Sequence, residues 1–380
     1  MSSPGLILRR IIPFAIAIGI WLTPIPAGLT PEAWHLFAIF IAAIVAVLDG
    51  AYPLLTSTML AVAAVVLTGT LPPAKAFEGF ASPTVLLVVI AFMVAQAVVK
   101  SGLGRRISLF MVSLFGRSSL GLAYSIIVTD ALIAPAFPSN TARGGVLFPI
   151  VLSVSEGSGS KPDDEKGRRL GGYLMFCAMA SLAVSSALWM TATSSNPIGI
   201  QIAREAGVNV DFAKWIIASS VPALTAIVAL PWVIAKLFPP GVGKTPEAPR
   251  AARAELGKLG SLTRDEWVTA IVFVVMVGLW VFGEALKLNT TVVAFAGLGV
   301  LLALSVLTLK DISLMGDTLS TFLWLAVLFA LSGQLNQLGF MTWAGQILAS
   351  FTKGLSWPLL YVALVSIYVF VHYMFVSKSV

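Results

Sequence analysis

Apolar runs recur along this chain from Ile11 to Phe375, and many approach the roughly 20 residues that cross the hydrocarbon core of a bilayer. Only 11% of the 380 residues are charged and 58% are hydrophobic, with a mean hydropathy of +0.95. A soluble domain keeps about a quarter of its residues charged, so lipid is the main solvent here. The first run, Ile11 to Leu22, follows Arg9 and Arg10 as a signal peptide would. No small-residue cleavage site follows it, because Thr23-Pro24-Ile25-Pro26 intervenes, and the reading is a retained helix.

The formal charge of +7 does not indicate a nucleic-acid partner, because the basic residues sit beside apolar segments instead of forming one patch. Cys177 is alone, which excludes an intramolecular disulfide, and His35 and His372 have no acidic cluster nearby in sequence. No structural metal is expected. The chain lacks His-Glu-x-x-His, Gly-x-Ser-x-Gly and Gly-x-x-x-x-Gly-Lys-[Ser/Thr], so neither an enzyme nor a nucleotide-driven pump is expected.

Positive-inside bias places Arg9, Arg10 and the N-terminus in the cytoplasm of a multi-pass inner-membrane protein. Spans near 11–22, 34–48, 54–71 and 83–99 follow, the last meeting Lys100, Arg105, Arg106 and Arg117. Arg105 to Phe115 reads as an amphipathic interfacial segment. Leu120–Ala134 and Gly144–Ser153 are short apolar arms around Pro135, Pro138 and the polar Ser139-Asn140-Thr141, the pattern of a re-entrant hairpin over about 120–153. Such irregular backbone at membrane depth is tolerated only where protein or a wet cavity satisfies it. A span from Gly171 is then interrupted at Thr191-Ala192-Thr193-Ser194-Ser195-Asn196-Pro197. Another runs from Trp215 to Leu237, and further spans lie near 267–284, 291–309, 320–338 and 357–375.

The two halves look related. Gln96 and Gln334 lie 238 residues apart in similar settings, and adding that offset to span starts 54 and 120 gives 292 and 358, beside 291 and 357. Charge-based topology makes the repeats inverted, as in many secondary transporters with a midplane site between broken helices. The organisation expected is an N-terminal helix (1–33), a first repeat (34–238), a cytoplasmic linker (239–266) and a second repeat (267–380). By the same offset, Ser139 maps to Ser377, so the second hairpin is expected to be cut short, lacking the counterpart of Gly144–Leu237.

Pro138-Ser139-Asn140-Thr141-Ala142-Arg143-Gly144-Gly145 resembles the signature of the divalent anion:sodium symporter (DASS) family. With Thr263-Arg264-Asp265-Glu266-Trp267 and His372-Tyr373, it is similar to the branch of bacterial citrate/succinate antiporters and chloroplast 2-oxoglutarate/malate translocators. The resemblance covers nearly the whole chain. It implies an all-α, homodimeric elevator transporter with a scaffold domain and a mobile domain holding two opposed hairpins. It further implies that Ser139, Asn140 and Thr141 bind substrate carboxylate, and a sodium ion in the sodium-coupled members. Lys378-Ser379-Val380 departs from the family's second motif, of which Ser377 is retained.

Several roles stay open. Ser139, Asn140 and Thr141 can bind an anion or cap the helix that follows, and the two are compatible. Arg143 can grip a substrate carboxylate or pair with Asp130, the only acid in its arm, which is also a candidate for ion or proton coupling. Thr193, Ser195 and Asn196, in the interrupted span, line a site or mark a proline kink. Two functions follow: a secondary active carrier of small di- and tricarboxylates, by exchange or cation-coupled symport, or a transport-inactive truncated form of one. No cofactor is expected beyond sodium as a coupling ion, and the partners are the carboxylate, the bilayer and a second copy of the chain.

Overall fold

The structure is a computed structural model that describes residues 4–158, 160, 168–205, 207–352 and 354–373. It is all-α, with no β-strand among the described residues, and it divides into two compact units, Met1–Leu86 with Gly316–Val380, and Leu87–Met315.

The first unit opens with α1 (Pro4–Leu22), α2 (Pro31–Leu48), α3 (Leu54–Leu67) and the short α4 (Pro73–Ala76). Proline at the start of α2 is set for the first helical turn, and the Thr30 side chain accepts from the Ala33 N–H. The second unit runs through α5 (Pro83–Ser101), α6 (Leu103–Phe115), α7 (Ser119–Ile133), α8 (Asn140–Gly157), α9 (Arg168–Leu188), α10 (Ser195–Glu205), α11 (Phe212–Leu237), α12 (Glu247–Leu259), α13 (Arg264–Val281), α14 (Thr290–Ala303) and α15 (Leu309–Ser313). The chain then returns to the first unit as α16 (Gly316–Gln337), α17 (Phe340–Phe351) and α18 (Trp357–Tyr373).

In the first unit Val327, Leu331 and Leu335 of α16 pack among Leu36 and Ile39 of α2 and Val62 and Val65 of α3. The 3-10 turn Glu78–Ala81 presses on α16 so closely that a Cβ on Gly79 would lie 1.9 Å from the Ala326 carbonyl oxygen. Gln334 of α16 donates to Glu78 at 2.9 Å.

Six described helices are long and apolar enough to cross a membrane: Pro31–Leu48, Pro83–Ser101, Ser119–Ala136, Arg169–Leu188, Phe212–Leu237 and Gly316–Gln337. Ser119–Ala136, expected as a short arm, reaches this length because a 3-10 turn, Ala134–Ala136, extends α7 to the proline break.

The stretch 239–266 is not a plain loop. Within it, α12 buries Ala248, Pro249 and Ala252 and packs on α6. Arg106 of α6 clamps the far end, donating to both carboxylate oxygens of Glu266 (2.7 and 3.0 Å) and to the Gly260 carbonyl (2.9 Å). Glu266 closes a capping box with Thr263 at the start of α13.

One order of elements occurs twice: a long helix, a glycine, an amphipathic helix and a further helix. It runs α5, Gly102, α6, α7 and again α16, Gly339, α17, α18. Both glycines hold left-handed backbone, at φ +79° and +83°, which a side chain would resist. The contact-defined units nonetheless cut across this sequence repeat, because α16 packs against α2 and α3.

Candidate functional site

The site is built at the turn between α7 and α8. Both arms are rooted at one end of the second unit. There Ser119 N–H donates to the Gly243 carbonyl (3.3 Å) and Thr245 N–H donates to the Arg117 carbonyl (3.0 Å). Ala248 and Ala252 of α12 share a core with Val151 near the end of α8 and with Leu170 and Tyr173 at the start of α9. So α7 leaves from this end and α8 returns to it, a fold-back with Phe137-Pro138-Ser139 at its tip.

α9 runs up between the arms and stops at the tip. Three bonds fasten the two together: Trp189 Nε1 to the Ala131 carbonyl (2.9 Å), Thr191 Oγ1 to the Pro135 carbonyl (2.9 Å) and Ser194 N–H to the Pro138 carbonyl (3.0 Å). The last carbonyls of α9, orphaned by the end of the helix, must find donors at this depth. Asn196 Nδ2 donates to the carbonyls of Ser186 (2.7 Å) and Trp189 (3.1 Å). Trp215 Nε1 serves Ala187 (3.0 Å) and Ser219 Oγ serves Leu188 (2.9 Å), both from α11. The carbonyls from Ser186 to Trp189 are therefore satisfied by protein.

Beneath the tip lies a fully buried charged pair. Arg143 and Asp130 are each 0% exposed, with Arg143 Nη1 3.4 Å from Asp130 Oδ1. Three serines of α9 surround them. Ser181 and Ser185 donate to Asp130 Oδ2 at 2.6 and 2.5 Å, and Arg143 donates to Ser185 (2.6 Å), Ser186 (2.6 Å) and the Leu182 carbonyl (3.1 Å). Arg143 Nε has no partner among the described residues.

Asn140 is held by the same cluster. Its Oδ1 accepts from both Arg143 Nη2 and Ser186 Oγ, which turns Nδ2 away, where it makes no hydrogen bond to any described group. Ser139 caps α8, accepting from the Ala142 N–H (3.3 Å). Capping and an open donor thus coexist at one tip. Thr141 is exposed, as is Ser195, the first residue of α10, whose hydroxyl is 3.2 Å from that of Thr193.

The Ser194–Pro138 bond ties together the segments that lead into α8 and α10. N–H groups of a first turn have no acceptor within the helix, and the helix end carries partial positive charge. Two such ends, with the Asn140 amide and the Thr141, Thr193 and Ser195 hydroxyls beside them in sequence, offer an anion neutral donors.

Sequence reasoning brought Ser139, Asn140, Thr141, Arg143, Thr193, Ser195 and Asn196 forward, and all lie at this junction. They divide by role: Asn196 satisfies the end of α9 and Arg143 faces Asp130, while Asn140, Thr141, Thr193 and Ser195 keep a polar edge open. Ser377 lies outside the described residues. The serines of α9 were missed, although Ser181 and Ser185-Ser186 at helical spacing in an apolar run were a usable signal.

The family described as "Sodium:sulfate symporter transmembrane region" matches residues 5–380. Among similar curated proteins is the chloroplastic dicarboxylate transporter 2 of Spinacia oleracea, 39% identical over 380 residues, covering 97% of this chain and 67% of its own length. The chloroplastic dicarboxylate transporter 1 of Arabidopsis thaliana is 37% identical over 371 residues, covering 96% and 67%. The citrate/succinate antiporter of Escherichia coli (strain K12) is 33% identical over 393 residues, covering 98% and 80%. The chain thus spans between two thirds and four fifths of these relatives' lengths.

Proposed function

The chain belongs to the sodium:sulfate symporter transmembrane-region family and is a multi-pass membrane protein; from that premise we propose that it is a secondary active carrier of small di- and tricarboxylates. The observation that carries the substrate class is the junction of two helix starts, α8 and α10, joined through Ser194 and Pro138. A carboxylate docks there on Asn140 Nδ2, the hydroxyls of Thr141, Thr193 and Ser195, and first-turn N–H groups. Neutral donors hold an anion firmly enough to enter and loosely enough to leave, as a carrier needs. The relatives, named for dicarboxylates, citrate and succinate, point to the same class.

Transport proceeds by exchange. A sodium ion at the tip would need oxygen ligands, yet Asn140 Oδ1 already accepts from Arg143 and Ser186. The carbonyls at the end of α9 are likewise engaged. The hydroxyls of Ser139, Thr141, Thr193 and Ser195 are what remains there. Sodium-coupled symport is the second reading, and the family description favours it. Arg143 acts from behind, setting the Asn140 amide, and does not touch the carboxylate. The protein sits in the inner membrane as an elevator-type homodimer with a cytoplasmic N-terminus, readings supported by Arg9, Arg10 and the family resemblance.

Counterflow into proteoliposomes decides the matter. Preloaded malate or succinate is expected to drive uptake of labelled dicarboxylate equally with and without sodium. Uptake that needs sodium selects symport, and absence of counterflow under every gradient refutes carboxylate transport.

A further inference from the structure

Away from the tip, at the rooted end of the hairpin, the last turns of α8 and α11 and the first turns of α9 enclose a cavity of about 810 Å³. That volume falls within the roughly 300–1,000 Å³ of small-molecule sites. Its wall is mainly apolar, and Phe176 of α9 stacks on Phe238 beyond α11, with ring centroids 4.4 Å apart. Both rings are more than 40% exposed. Glu156 and Arg169 line the same cavity. Neither forms an ion pair with another described side chain.

The residues around the cavity are of the kind that sit at a water–lipid boundary. One turn before it, Lys236 sits over the exposed ring of Trp232, 3.7 Å from the centroid. Just past it begins the basic stretch holding Lys244, Arg250 and Arg253. Aromatic rings beside basic residues mark the headgroup level of the positive-rich face. An exposed aromatic wall, topped by a cation and an anion that have no ion-pair partner among the described residues, asks for a ligand with a matching chain and both charges.

We propose that this cavity binds one phospholipid whose headgroup carries both a phosphate and a free ammonium. The phosphate takes charge-assisted hydrogen bonds from the Arg169 guanidinium, the ammonium pairs with Glu156, and an acyl chain lies along Phe176 and Phe238. The site is separate from the anion junction and stands whichever solute the protein carries.

The test is native mass spectrometry of the full chain released from nanodiscs of equal phosphatidylethanolamine and phosphatidylglycerol. Wild type is expected to retain one lipid, with phosphatidylethanolamine favoured roughly tenfold, the ratio that one extra charge-assisted bond supplies. Gly172 lines the cavity and has nothing within 4 Å of its Cβ position. A side chain there starts in open space, so Gly172→Phe should occupy the cavity and abolish retention while leaving the melting temperature unchanged. Glu156→Gln should keep the lipid and erase the preference between headgroups. Three results overturn the inference: no retained lipid in wild type, equal retention by Gly172→Phe, or an undiminished preference in Glu156→Gln.

Discussion

Replacing Asp130 by Asn tests whether the charge beneath the hairpin tip is structural. Asn keeps the shape and still meets Ser181 and Ser185, which now donate to Asp130 Oδ2 at 2.6 and 2.5 Å. What it removes is the anion beside Arg143, both groups being 0% exposed. Removing one partner of a buried pair typically costs about 3–5 kcal/mol, because an uncompensated charge stays behind. Here the low end applies, since Arg143 keeps acceptors on Ser185, Ser186, Asn140 and the Leu182 carbonyl. About 3 kcal/mol corresponds to a fall in melting temperature of roughly 6–12 °C for a unit of this size. Arg143→Met alone should cost a similar amount by stranding Asp130. The double variant should cost clearly less than the two single changes together, the signature of direct coupling. Thermal denaturation of the solubilised protein reads all four forms. If Asp130→Asn melts with wild type and instead raises only the KM for carboxylate, Arg143 is free to face the substrate and the structural reasoning is wrong.

Asn140→Ala removes a donor to a charged ligand, worth about 1.5–3 kcal/mol, so KM should rise roughly 10- to 100-fold in exchange assays, with a fall in melting temperature as well because Arg143 and Ser186 lose an acceptor. Ser186→Ala takes away one of the two donors that fix the Asn140 amide and should raise KM about fivefold, the equivalent of about 1 kcal/mol. Gly79→Ala drives a methyl to 1.9 Å from the Ala326 oxygen and should cost at least about 1–3 kcal/mol, read as a lower melting temperature. Hydrogen bonds from Lys100 and Thr308 hold the Asp311 carboxyl down to about 2. Its folded value lies below the unfolded one, so its contribution is complete above pH about 4 and fades as pH falls toward 2. The stability difference between wild type and Asp311→Asn should therefore be flat from pH 8 to 5 and shrink only below that window.

The helices were legible because each apolar run is bounded by proline, glycine or a polar cap. Pro83 and Trp357 begin observed helices at the expected places, α2 begins at Pro31 ahead of the expected 34, and the hairpin was visible in Pro135, Pro138 and the polar residues between its arms. The packing of the first unit was not legible. In lipid, a buried face and an exposed face are both apolar, so nothing in Gly316–Gln337 announced that Leu331 would be covered and Leu319 left open. α12 was hidden for the opposite reason: its prolines and charges read as loop, while the face that docks on α6 is built from Ala248, Pro249 and Ala252. At the site, the motif residues were legible but their division of labour was not. Only the fold shows Arg143 turned to α9 and Asn140 turned outward, because the serines that sort them lie 42 and 43 residues further along the chain.

Site-directed thiol labelling tests the anion junction most directly. On a Cys177→Ala background, cysteines replacing Thr141 and Ser195 should react with membrane-impermeant maleimide from an aqueous face, and saturating malate should slow both reactions together. Thiols sealed from water on both faces, or labelling indifferent to malate, would contradict a carboxylate site at the meeting of α8 and α10.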